Sequence, residues 1–256
     1  MDTEWRSVFG RSDRVDTARC RNLGNGRFER VRYSQTADLD IPIVFINVGN
    51  PIGIGLVKSF PHPGGNVTGF SDAIADLSGK FLDIARELGG PQAPIDYLWY
   101  TAWEDGQNRF SLTERAAKAA EMTLRSRPLN NIDDLEPQLA AMKSDGATIV
   151  IIQPGPFTHR YRKRIFQGAI SAGYATIYGF PPVVQDGALI AYGPDAFEMY
   201  HAAGQYSARI VKGEKPADLP VQQPTHFKLI INLATAKTLG IKLPETLLAR
   251  VDEVIE

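Results

Sequence analysis

An α/β fold built on parallel sheets flanked by helices is what this sequence predicts, on three observations. Two continuous apolar, β-branched runs, Ile41 to Val48 and Ala147 to Ile152, read as strands buried on both faces. Strand-like and helix-like segments alternate from residue 41 onward. The first run stops at Gly49-Asn50-Pro51. Such a turn at the carboxyl end of a buried strand is where open α/β sheets place ligands, and an ordinary crossover looks the same.

The elements follow in order. Pro51 lacks a donor and biases Asn50 away from the helical region, so the strand ends there. Ile52 to Lys58 reads as a short apolar helical turn, Phe60 to Asn66 as a loop, and Val67 to Phe70 as a second strand. Leu77 to Leu88 carries one apolar stripe of a helix, with Asp76 as N-cap and Gly89-Gly90 as its end. Ile95 to Tyr100 is a strand, Thr101 to Asn108 a polar loop, Phe110 to Met122 a helix and Leu124 to Leu129 a strand. Asn131 to Asp134 caps a helix ending near Lys143, and Ala147 to Ile152 is the central strand. Pro154 to Phe157 turns the chain into a helix over Arg160 to Ala172, then a strand at Tyr174 to Tyr178. Val183 to Gly187 is a short helix or loop and Leu189 to Tyr192 a strand. A long helix spans Ala196 to Val211, and Phe227 to Asn232 and Leu233 to Leu239 are a last strand and helix.

Composition narrows the function. The chain has 256 residues, 43% hydrophobic and 22% charged, enough for one large domain or two lobes. A net charge of −1, with no basic block beyond residue 32, argues against a nucleic-acid partner. The single cysteine, Cys20, excludes an internal disulfide. The histidines at 62, 159, 201 and 226 have no metal spacing. No GxSxG, GxxxxGK[ST] or GxGxxG occurs; Gly53-Ile54-Gly55 is followed by Lys58 where a third glycine would stand. The sequence therefore points to no enzyme, no metal and no cofactor. Residues 1–40 differ from the rest: eight arginines, no lysine and no periodicity. The opening MDTEWRSVFGRSDR has no apolar core of a secretory signal.

Several motifs together carry a resemblance. Ile41-Pro42-Ile43-Val44-Phe45, Asn50-Pro51, Gly53, Gly55-Leu56-Val57, Ser59 and Pro63 to Ser71 (PGGNVTGFS) come first. Ala188 to Asp195 (ALIAYGPD), Val211 to Thr225 (VKGEKPADLPVQQPT), Ile231 to Lys237 and Val251 to Ile255 follow in order. Residues 41–256 thereby resemble the substrate-binding proteins of ABC transporters, in the tryptophan or aromatic amino-acid branch of the type I periplasmic binding proteins. Asn50 stands where that family usually has Asp, which removes a charge but keeps an acceptor.

The resemblance implies two α/β lobes around a cleft, a small amino-acid-like ligand with aromatic amino acids among the candidates, ABC permease subunits as partners and a periplasmic or extracytoplasmic location. The expected division is an Arg-rich leader at 1–40 and a remnant of lobe 1 at 41–93 plus part of the C-terminal region. Lobe 2 is expected at 94–195, with a crossover helix, interlobe strand and C-terminal elements at 196–256. The front of lobe 1 is expected to be missing, because the leader shows none of its strands and helices. By resemblance Asn50, Phe70, Asp72, Phe157, Tyr178, Tyr192 and Asp195 line the cleft, all at or just past strand ends. Each aromatic is equally suited to core packing, and Asp195 to capping the Ala196 helix. The alternatives are a ligand-sensing domain of a regulator, for which no helix-turn-helix appears in residues 1–40, and a truncated, non-functional remnant. A sugar- or nucleotide-converting enzyme would need an acid–base constellation that the sequence lacks.

Overall fold

The computed structural model of the protein describes residues 41–256. The expectations for the Arg-rich leader lie outside them. Two sheets make up the architecture. The smaller pairs β1 (Ile43–Val48) with β2 (Val67–Ser71) in parallel. The larger contains β3 (Ile95–Tyr100), β4 (Leu124–Leu129), β5 (Ile149–Ile152), β6 (Ala175–Tyr178), β7 (Ile190–Pro194), β8 (Phe227–Asn232) and β9 (Glu253–Ile255) in the order β4-β3-β5-β6-β7-β8-β9. The helices are α1 (Ser78–Gly89), α2 (Glu104–Ala119), α3 (Leu135–Ser144), α4 (Pro156–Arg160), α5 (Arg162–Ala172), α6 (Ala196–Val211), α7 (Leu233–Leu239) and α8 (Glu245–Leu248).

Period-two alternation sorts the larger sheet into two covered faces. Ile95, Tyr97, Ile149 and Ile151 meet Phe81, Leu82 and Ala85 of α1. Leu98, Val150 and Ile152 meet Leu135 and Leu139 of α3 and Ile165 and Phe166 of α5. Burial on both sides explains why β5 reads as an unbroken apolar run. The smaller sheet is covered by α6, whose Met199, Ala203 and Tyr206 pack on Phe70 with Leu219. Its other face gathers Phe45, Val57, Val67 and Val221. Only Phe45 is buried within β1, because β2 is its one strand neighbour among the described residues. Backbone bonds from Ser71 N–H to Gln222 C=O and from Gln222 N–H to Gly69 C=O lay residue 222 alongside β2.

The structure corrects several sequence expectations. Ile52 to Lys58 is a chain of turns, not a helical turn, with Leu56 and Val57 N–H groups both donating to Pro51 C=O. Gly55, at φ 74°, breaks any helix there. Asp76 lies inside a 3-10 turn over Ile74–Leu77 and caps nothing; the carboxylate that accepts from the start of that turn is Asp72, from Ile74 N–H at 3.0 Å. The expected loop at Thr101 to Asn108 becomes helix from Glu104 onward. The Gly106 carbonyl accepts from Gln153 Nε2 at 2.7 Å, which ties this first turn to the end of β5, and a Cβ at Gly106 would lie 2.8 Å from Gln153 Oε1. Pro154 to Phe157 is not only a turn: Pro156 opens α4. Strand β8 runs antiparallel to β7, the one antiparallel pairing among the described residues of an otherwise parallel sheet. The chain leaves β7 for α6 on the small sheet and returns into the large one from the opposite end. Helix α1 packs on the large sheet, to which β3 next leads.

Candidate functional site

The carboxyl ends of strands from both sheets meet in a buried polar cluster. Gly49 follows β1 and Asp72 follows β2, whereas Trp103 lies beyond β3 and Gln153 follows β5. At the centre is Arg109 of α2, 3% exposed. Its Nε donates to Asp105 at 2.7 Å and its Nη2 to Asp72 at 3.1 Å. Asp105 and Arg109 sit at i and i+4, so the helix turn aligns them. The guanidinium carbon lies 5.1 Å from the Trp103 ring centroid, in cation–π range. A Cβ on Gly49 would fall 2.1 Å from Arg109 Nη2, so only glycine admits the guanidinium to the end of β1. Gly155 in turn admits the Trp103 ring, which a Cβ there would meet at 2.4 Å. Burial alone would lower the arginine's pKa, yet Asp72 and Asp105 outweigh it and hold the value above normal. Burial pushes the neighbouring Tyr97 phenol up.

Among the expected site residues, Asp72 alone joins this cluster. Asn50 is exposed and its Oδ1 accepts from Gly53 N–H at 2.9 Å, stabilising the turn. Phe70 packs on Tyr206 at 5.0 Å in the α6 core. Phe157 is buried and stacks on Tyr100 at 4.1 Å. Tyr178 is 1% exposed, edge-on to Phe166, and burial pushes its phenol up to about 12. Tyr192 is half-buried over Phe227 in a separate pocket of about 240 Å³ between α1, β8 and Asp252. Asp195 accepts from Phe197 and Glu198 N–H and pairs with Lys228 at 2.7 Å. Trp103, Asp105, Arg109 and Gln153 escaped the sequence reading. The Asp105/Arg109 spacing, just after a strand and a tryptophan, was the available signal.

Asp195 yields a direct prediction. Burial raises its pKa, but Lys228 and the two helix N–H groups outweigh this and hold it below the ordinary 3.8. A depressed carboxylate stabilises the fold above its unfolded pKa and loses that contribution as pH falls through the folded value. Asp195→Asn, which keeps an acceptor for the cap, is expected to flatten that acid limb below about pH 4. Asp195→Ala is expected to cost about 1 kcal/mol at neutral pH. Denaturant titrations from pH 2 to 7 check both, and identical acid limbs for wild type and Asp195→Asn would refute the assignment.

A family model described as ABC transporter substrate binding protein matches residues 31–255. The chain belongs to this family. A tyrosine-binding protein of Clostridioides difficile is 24% identical over 212 residues, 80% of this chain and 59% of the relative, so the chain spans about three-fifths of that relative's length. A solved conserved domain protein of Vibrio cholerae superposes with a TM-score of 0.76 at 22% identity, covering 87% of this chain and 75% of the other. An ABC domain of Streptococcus pneumoniae in complex with L-Trp gives 0.75 at 23% identity, with 86% and 76% covered. A ligand-free, open substrate-binding protein with adhesive properties from C. difficile gives 0.65 at 20%, with 87% and 74% covered. These likenesses establish the periplasmic-binding-protein fold, with its parallel-dominated sheets flanked by helices. The members of the matched family are ABC transporter substrate-binding proteins. No helix among the described residues of this ABC-type substrate-binding chain is long and apolar enough to cross a membrane.

Proposed function

We propose that this substrate-binding protein serves an ABC import system and takes a free amino acid, aromatic in the first instance, between its two sheets. The observation that carries the reading is the Asp72–Arg109–Asp105 cluster under Trp103, at the strand ends where such sheets bind ligands. Ammonium and carboxylate groups need acceptors and donors of this kind, and an aromatic side chain needs a flat apolar wall such as Trp103. The names of the tyrosine-binding relative and the L-Trp-bound neighbour support the same ligand class.

We place the lobe boundaries at the three crossings, near 72–74, 194–195 and 222–226, with α1 in lobe 2 and α6 in lobe 1. The ligand enters when the lobes part about these crossings. Permease subunits are the partners, and the protein acts outside the cytoplasmic membrane. Titration calorimetry of the full chain with each of the twenty amino acids tests the reading. Saturable one-to-one heat with tyrosine, tryptophan or phenylalanine is expected, and no heat with any amino acid would overturn it.

A further inference from the structure

Arg109 has five N–H donors, and only part of them is used. Nε is taken by Asp105 and Nη2 by Asp72, while Nη1 is fully buried and has no hydrogen-bond partner among the described residues. A buried cationic donor without a partner is costly and rare in native proteins. The remaining corner of a guanidinium already clamped by two carboxylates is a fixed, charged donor. Its natural complement is a planar oxyanion.

We propose that Arg109 Nη1 reads the carboxylate of the bound ligand, so that Arg109 sets specificity for free amino acids over their decarboxylated amines. This deepens the function proposed above and rests on it. Charge arithmetic selects the ligand class further. Asp72, Asp105 and Arg109 together carry one negative charge in excess. A simple carboxylate would add a second uncompensated buried charge, whereas an amino acid brings its own ammonium to the aspartate oxygens. The excess negative charge therefore disfavours a lone carboxylate, and the unpartnered Nη1 donor disfavours a lone amine, which leaves it unmet. Asp72 reaches Arg109 from the small sheet and Asp105 from its own helix, so ligand recognition is coupled to the joining of the two sheets.

The test is a cycle between ligand and side chain. Calorimetry compares L-tyrosine with tyramine and 4-hydroxyphenylpropionate, or L-tryptophan with tryptamine and indolepropionate, using whichever amino acid binds more tightly. Wild type is expected to prefer the amino acid to its amine by about tenfold to a hundredfold, the worth of one charged hydrogen bond. Arg109→Gln is expected to shrink that ratio towards one. Arg109→Lys keeps a cation against both aspartates, protecting the fold, and should shrink it as well. A ratio unchanged in either folded variant, or equal losses for amino acid and amine, would overturn the proposal and leave a buried water as the partner of Nη1. Wild type that binds no amino acid would instead remove the functional reading beneath it.

Discussion

Asp72→Ala is expected to destabilise the protein by about 3 kcal/mol, the lower end of what removing one partner of a buried ion pair costs. Asp72 is 4% exposed and Arg109 3% exposed, so neither charge is rescued by water. The substitution removes the 3.1 Å bond to Arg109 Nη2 and the acceptor for Ile74 N–H at the start of the crossover. Asp105 remains against Arg109 Nε, which keeps the loss from the upper end of the range. For a chain of this size the thermal midpoint should fall by about 6–12 °C. The same substitution made on Arg109→Met should cost distinctly less, because no guanidinium is then stranded. A loss below about 1 kcal/mol in the wild-type background would mean that the pair is solvated and carries no such energy.

The strands were legible because burial on both faces demands continuous β-branched residues, as at Ile149–Ile152. Helices α6 and α7 were legible to the residue, since Asp195 and Asn232 each accept from backbone N–H groups of the first turn. The start of α2 was hidden because Gly106, Gln107 and Asn108 have loop chemistry. What makes them helical is tertiary: the Gln153 bond to Gly106 and the pairing of Asp105 with Arg109. The direction of β8 was equally hidden, since an apolar strand pairs either way and the route of the chain decides.

The site divides along the same line. Asp72 could be named because it follows a strand directly. Arg109 was marked only by Asp105 four residues before it, a spacing that ordinary exposed helices share, while its second partner, Asp72, lies 37 residues away. Phe70 and Tyr178 stand in strands near their ends, yet the pleat turns them into cores beside α6 and α5, and Phe157 enters its core from helix α4. A strand-end aromatic looks the same in sequence whether it faces ligand or core.

Gly69→Ala is expected to be the most damaging single-methyl change, costing about 4 kcal/mol or more. Gly69 sits within β2 at φ 153°, a region that only glycine enters without strain, and it pairs with Phe45 of β1. A Cβ there would lie 2.1 Å from the Phe45 carbonyl oxygen and 2.7 Å from its nitrogen. Both obstacles are backbone, so no rotamer change relieves them and the strands must separate. Separation also frees Phe70 from Tyr206 and breaks the bonds to residue 222, which unseats α6. The larger sheet shares none of these contacts and should hold its structure. Hydrogen exchange separates the two responses: protection should fall across 43–48 and 67–71 and persist across 149–152. Gly65→Ala, with open space at its Cβ, is the matched control and should stay within about 1 kcal/mol of wild type. If Gly69→Ala were as mild as that control, β1 and β2 would have to be farther apart than their register requires.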